Sequence, residues 1–122
     1  MSRSIDIGYR SADGGALTPV ELQEPYYLLG TQRLSMEFWS LPQLREFGLA
    51  RLTTLGFTDP VSFVGWDDLA ELGREIALLQ QHLRSIPFHP ELLAGWLSHL
   101  VYCHSLLSLV TPEGCVPELC IG

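Results

Sequence analysis

The chain has 122 residues, of which 47% are apolar and 17% charged. That is the composition of one folded domain, residues 1–122, around a single core, and it excludes a disordered or collagen-like polymer. All seven cations are Arg, scattered along the chain, against fourteen carboxylates, giving a formal net charge of -7. This argues against a nucleic-acid partner, because phosphate neutralisation needs clustered Arg or Lys.

Three Cys, two of them (Cys115 and Cys120) near the C-terminal end, do not make a disulfide framework. The opening Met1-Ser2-Arg3-Ser4-Ile5-Asp6-Ile7 alternates polar and apolar residues and lacks the apolar stretch of a secretory signal. A cytoplasmic location is therefore expected. Leu92 to Val110 carries no formal charge and approaches membrane-spanning length. His99, His104 and three Ser interrupt it and no Arg or Lys flanks it, so a core helix is expected and no membrane contact.

In chain order, Ile5, Ile7 and Tyr9 alternate through Ser4 to Arg10 and predict a strand, followed by a turn at Asp13-Gly14-Gly15. Leu17 to Pro25, acidic and with two prolines, reads as loop. Leu34, Met36 and Phe38 alternate again and predict a second strand through Trp39. Ser40 and Pro42 read as the cap and first turn of a helix running to about Leu55, with Leu44, Phe47, Leu52 and Leu55 on its apolar stripe and Gly56 as its stop. After a turn at Asp59-Pro60, Val61 to Val64 is a short strand. Asp67 or Asp68 then caps a second helix, with Leu69, Leu72, Ile76, Leu79 and Leu83 facing inward and Glu71, Arg74, Glu75, Gln81 and His82 outward. Ile86 to Pro90 connects to a third, mostly buried helix carrying Leu93, Trp96, Leu97, Leu100, His104 and Leu107, and Cys115 to Ile121 closes the domain as a strand. The order β-β-α-β-α-α-β predicts an α+β fold, a small antiparallel sheet with three helices packed on one face.

Few residues form a chemical constellation. Of Asp67, Asp68, Glu71 and Glu75, three are accounted for by capping and the helix dipole, with a partner-facing acidic surface as the main competing reading. His99 and Cys103 share a side of the third helix, but no metal-ligand motif accompanies them, so no metal and no cofactor are expected. Cys103 and His104 are adjacent on a helix and therefore point about 100° apart. With no nucleophile elbow, P-loop or dinucleotide glycine pattern, no catalytic residue is assigned and the chain is not expected to be an enzyme.

The segment Gly65-Trp66-Asp67-Asp68-Leu69-Ala70-Glu71-Leu72-Gly73-Arg74-Glu75 begins an amphipathic helix; a second helix with internal Trp96 and the terminal Leu119-Cys120-Ile121-Gly122 follow. In these features the chain resembles the small acidic immunity proteins encoded beside polymorphic, contact-dependent or type VI-secreted bacterial toxins. The resemblance implies a cytoplasmic domain that binds a cognate secreted toxin domain and blocks its active site or substrate access. It transfers no individual residue role. On that reading the acidic side of the second helix, Asp67, Asp68, Glu71 and Glu75, together with Trp66 and the turn at Asp59, forms the partner-binding surface, an aromatic anchor with a charged rim. A small ligand- or metal-binding protein and a homo-oligomeric adaptor are the alternatives, and homodimer formation is left open.

Overall fold

A computed structural model describes residues 2–122. Five antiparallel strands and four α-helices make an α+β domain. The strands are β1 (Ser2–Ser11), β2 (Thr18–Val20), β3 (Leu28–Thr31), β4 (Val61–Val64) and β5 (Cys115–Ile121). The helices are α1 (Gln32–Trp39), α2 (Pro42–Glu46), α3 (Trp66–Gln81) and α4 (Pro90–Val110).

The sheet order is β2-β1-β5-β4, with β3 also paired to β1, beside its first residues. Directly opposed residues share a face, so the register sorts the side chains. Ile5 faces Ile121, Ile7 faces Leu119, and Val61 and Phe63 complete the row from β4. All six are buried against the helices. The opposite face carries Asp6, Gly8, Glu118, Cys120, Ser62 and Val64, and no helix covers it.

The strands at Ser4 to Arg10, Val61 to Val64 and Cys115 to Ile121, and the two long helices, lie where periodicity places them. Pro90 opens α4 in the first turn, where its missing N–H costs no hydrogen bond. By length and hydropathy α4 is long and apolar enough to cross a membrane. In the fold its Leu93, Trp96, Leu97, Leu100, Cys103 and Leu107 lie in the core. His104 sits between the long helices: its Nε2 lies 2.8 Å from the Leu69 carbonyl, close enough that a Cβ on Gly73 would stand 3.0 Å from the ring.

Four expectations are corrected. The second strand, Leu34 to Trp39, is helix α1: Thr31 Oγ1 caps it by accepting the Leu34 N–H at 3.2 Å. Its buried residues are Ser35, Phe38 and Trp39, a helical i, i+3, i+4 set that outweighs the alternation of Leu34, Met36 and Phe38. Ser40 ends this helix and starts no other, donating to the carbonyls of Met36 at 2.7 Å and Gly56 at 3.1 Å.

The single helix expected to Leu55 is instead the five-residue α2 and a 3-10 turn at Leu52–Gly56. Gly48, at φ +106°, takes the chain out of helical geometry between them. The loop from Leu17 to Pro25 contains β2, a three-residue strand whose Pro19 opposes Gly8. Finally, neither Asp67 nor Asp68 caps α3: Gly65 occupies that position at φ 94° and no side chain bonds there.

Candidate interaction surface

The six residues proposed for partner binding do not form one surface. Trp66 begins α3 with 48% of its surface exposed, and its indole N–H donates to the Cys115 carbonyl at 3.2 Å. Asp67 beside it is exposed.

Asp68 is committed to the fold. Its carboxylate accepts the Val64 N–H at 2.9 Å and pairs with Arg51 at 2.7 Å, while Arg51 also donates to the Ser62 carbonyl at 2.7 Å. Val64 and Ser62 lie on the edge strand β4, and these two backbone groups point away from β5. The Arg51–Asp68 pair thus occupies polar groups that an edge strand otherwise offers to another chain. The Val64 N–H, and then Arg51, hold the Asp68 carboxyl below its ordinary range. Glu71 is paired similarly: Arg74 Nε lies 3.0 Å from its carboxylate, and this bond depresses the Glu71 pKa.

One of the six is corrected outright. Glu75, expected on the outward face, is fully buried. Its Oε2 accepts the N–H groups of Ala50 at 3.2 Å and Arg51 at 3.0 Å, and its Oε1 accepts Leu52 N–H at 2.9 Å. The segment between α2 and the 3-10 turn lacks helical partners for these donors, and one carboxylate supplies all three.

Asp59 is exposed beyond the far end of β4 from Trp66 and braces a buried cation. It stands 3.6 Å from the guanidinium of Arg3, whose side chain is fully buried, and also accepts from the Gln32 amide. Arg3 donates to the Leu55 carbonyl at 2.7 Å and to Ser35 Oγ at 3.3 Å. Burial lowers its pKa and Asp59 opposes that shift.

The side chains that α4 presents to the chain around the start of β3 are likewise held by the backbone. His99 Nδ1 lies 2.7 Å from the Leu28 carbonyl, and Cys103 donates its thiol to the Tyr26 carbonyl at 3.2 Å. Among the described residues no group of three His, Cys, Asp or Glu side chains is placed to hold a metal ion. Burial pushes the Cys103 thiol up to about 12, whereas Cys115 and Cys120 are half-buried. A maleimide or disulfide reagent at pH 8 is therefore expected to label Cys115 and Cys120 in the native chain and to reach Cys103 only in denaturant. Fast native labelling of Cys103, located by peptide mapping, contradicts this placement.

The residues that sequence reasoning passed over lie on the uncovered sheet face. Asp6 and Cys120 oppose one another, as do Gly8 and Glu118, and Ser62 and Val64 extend the two rows. Leu17 and Pro19 rise beside Gly8 and flank a groove of about 390 Å³. Gly8 is required there: a Cβ would stand 2.7 Å from the Thr18 carbonyl oxygen and 3.0 Å from Leu17. The signal was present in the sequence, since a glycine inside a strand marks close backbone approach and Asp6 falls between inward-facing Ile5 and Ile7.

Comparison of the chain with protein-family models, curated proteins and solved structures finds no match.

Glu118 pairs with Arg10, but Asp6 has no cation within ion-pair distance among the described residues.

Proposed function

We propose that this chain is a protein-binding domain that neutralises a basic partner, in the manner of an immunity protein that occludes a cognate secreted toxin domain. The observation carrying this reading is how its charge is distributed. Arg3, Arg10, Arg33, Arg51 and Arg74 form ion pairs inside the domain. Asp6, Asp13, Glu21, Glu24, Glu46, Asp67, Glu91 and Glu113 are exposed with no described cation in reach. The net charge of -7 is therefore carried by surface carboxylates, while the cations are largely used by the fold.

Such a surface accelerates encounter with a basic protein and repels nucleic acid. Encounter would be cytoplasmic and would need no cofactor. The test is affinity capture of the tagged chain from its native cells, followed by mass spectrometry of what it retains. One toxin domain with excess Lys and Arg, recovered at near-equal stoichiometry, is the expected result. Recovery of the chain alone from cells that express a neighbouring toxin gene overturns the reading.

A further inference from the structure

Three adjoining depressions on the uncovered sheet face have one side chain in common, Asp6. The first is the 390 Å³ groove beside Gly8, with Leu17 and Pro19 as apolar walls and Ser62 and Cys120 as small residues on its floor. The second, about 380 Å³, runs between Asp6 and Tyr27 past Glu21 and Leu22. The third, about 630 Å³, runs from Asp6 past Cys120 and Pro60 to Asp59.

Each depression pairs Asp6 with a second carboxylate: Glu118, Glu21 and Asp59 in turn. Two of those second groups are engaged, Glu118 by Arg10 and Asp59 by Arg3. Asp6 is engaged by no described cation, and it stands on the central strand β1 where the depressions meet.

We infer that this face, rather than the start of α3, is where a basic protein docks, with an Arg or Lys of the partner laid across the groove and its cation on Asp6. The inference rests on the protein-binding reading above and specifies its site. Charge complementarity selects the occupant. The aliphatic stem of Arg or Lys packs on Leu17 and Pro19 while its head reaches the carboxylate, the arrangement that long cationic side chains adopt at apolar surfaces. A groove of this volume has the capacity of a small-ligand site and accommodates one extended side chain. An acidic partner side chain would meet the unpaired charge of Asp6, and a purely apolar one would leave Asp6 desolvated without a counter-charge.

The test is a backbone-amide NMR titration of the full chain with the peptide acetyl-Arg-Arg-Arg-amide, which needs no knowledge of the natural partner. Shifts concentrated at Asp6, Gly8, Leu17, Ser62 and Cys120 are expected. D6R should abolish them, and L17A, which alters no charge, should weaken the peptide at least about three-fold, on the order of 0.7 kcal/mol. D67R should leave them in place. Shifts spread evenly over the exposed carboxylates, centred on Trp66 and Asp67, or persisting in D6R overturn the site. Failure of toxin capture alongside focused peptide shifts instead removes the immunity reading and leaves the basic-side-chain site standing.

Discussion

Replacing Glu75 by Ala is expected to destabilise the domain by about 3 kcal/mol, among the largest losses from a single exposed-looking position in the sequence. The substitution removes the acceptor for three backbone N–H groups at once, those of Ala50, Arg51 and Leu52. An unsatisfied buried donor costs about 1–3 kcal/mol, and Leu52 is fully buried, so at least one of the three cannot turn to water. The change also empties a volume between α3 and the 3-10 turn.

Glu75→Gln separates these effects. It keeps the volume and one acceptor oxygen, which can serve Ala50 and Arg51, but sets an amide donor against Leu52 N–H, so a loss of about half that size is expected. Urea unfolding followed by circular dichroism measures both. A change below about 1 kcal/mol in Glu75→Ala shows that water or a rearranged loop satisfies these donors and that the carboxylate does not organise the segment.

The second large effect is at Gly30. Its φ is +81° and a Cβ there would stand 2.3 Å from Cζ2 and 2.8 Å from Cε2 of Trp96. Trp96 is 5% exposed and packs with Phe38 and Phe88 at centroid distances of 5.8 and 5.4 Å, so its ring has nowhere to retreat. Gly30→Ala therefore combines left-handed backbone strain of about 1 kcal/mol with overpacking of about 2 kcal/mol. Gly14→Ala supplies the comparison: φ is +90° but nothing lies within 4 Å of its Cβ, so only the strain remains. Equal losses in the two variants would mean that the Trp96 ring yields freely and does not lock β3 to α4.

Periodicity was informative where an element's own residues determine its burial, as in α3, with Leu69, Leu72, Ile76 and Leu79 buried on one stripe. It misled where a neighbouring segment decides. Glu75 belongs to the polar stripe of α3, but the segment from Ala50 to Leu52 lies over it and turns an outward position into an interior one. Asp59 reads as a turn residue because nothing local reveals that Arg3, distant in sequence, is buried beside it. In α1 the same eight residues satisfy both a two-fold and a 3.6-fold pattern, and the Thr31 cap with the contacts of Phe38 and Trp39 selects the helix.

The candidate surface followed the same logic. Trp66 and Asp67 are as exposed as the sequence suggests, whereas Asp68 and Glu71 are tied to Arg51 and Arg74. Residues chosen for their charge were partly consumed by the fold. The uncovered face was legible only as outward-facing positions of separate strands, and the pairing of β1 with β5 and of β5 with β4 brings Asp6, Cys120 and Ser62 into one row.

On the proposed reading the chain acts by stoichiometric binding to a basic protein. Titration of the captured toxin domain with increasing amounts of the chain tests this directly, with the toxin's own activity as the readout. A linear fall reaching zero at one chain per toxin is predicted, with an association rate that drops as salt is raised. Loss of toxin activity at far less than one chain per toxin would show turnover in place of occlusion, and activity unchanged at several-fold excess would remove neutralisation altogether.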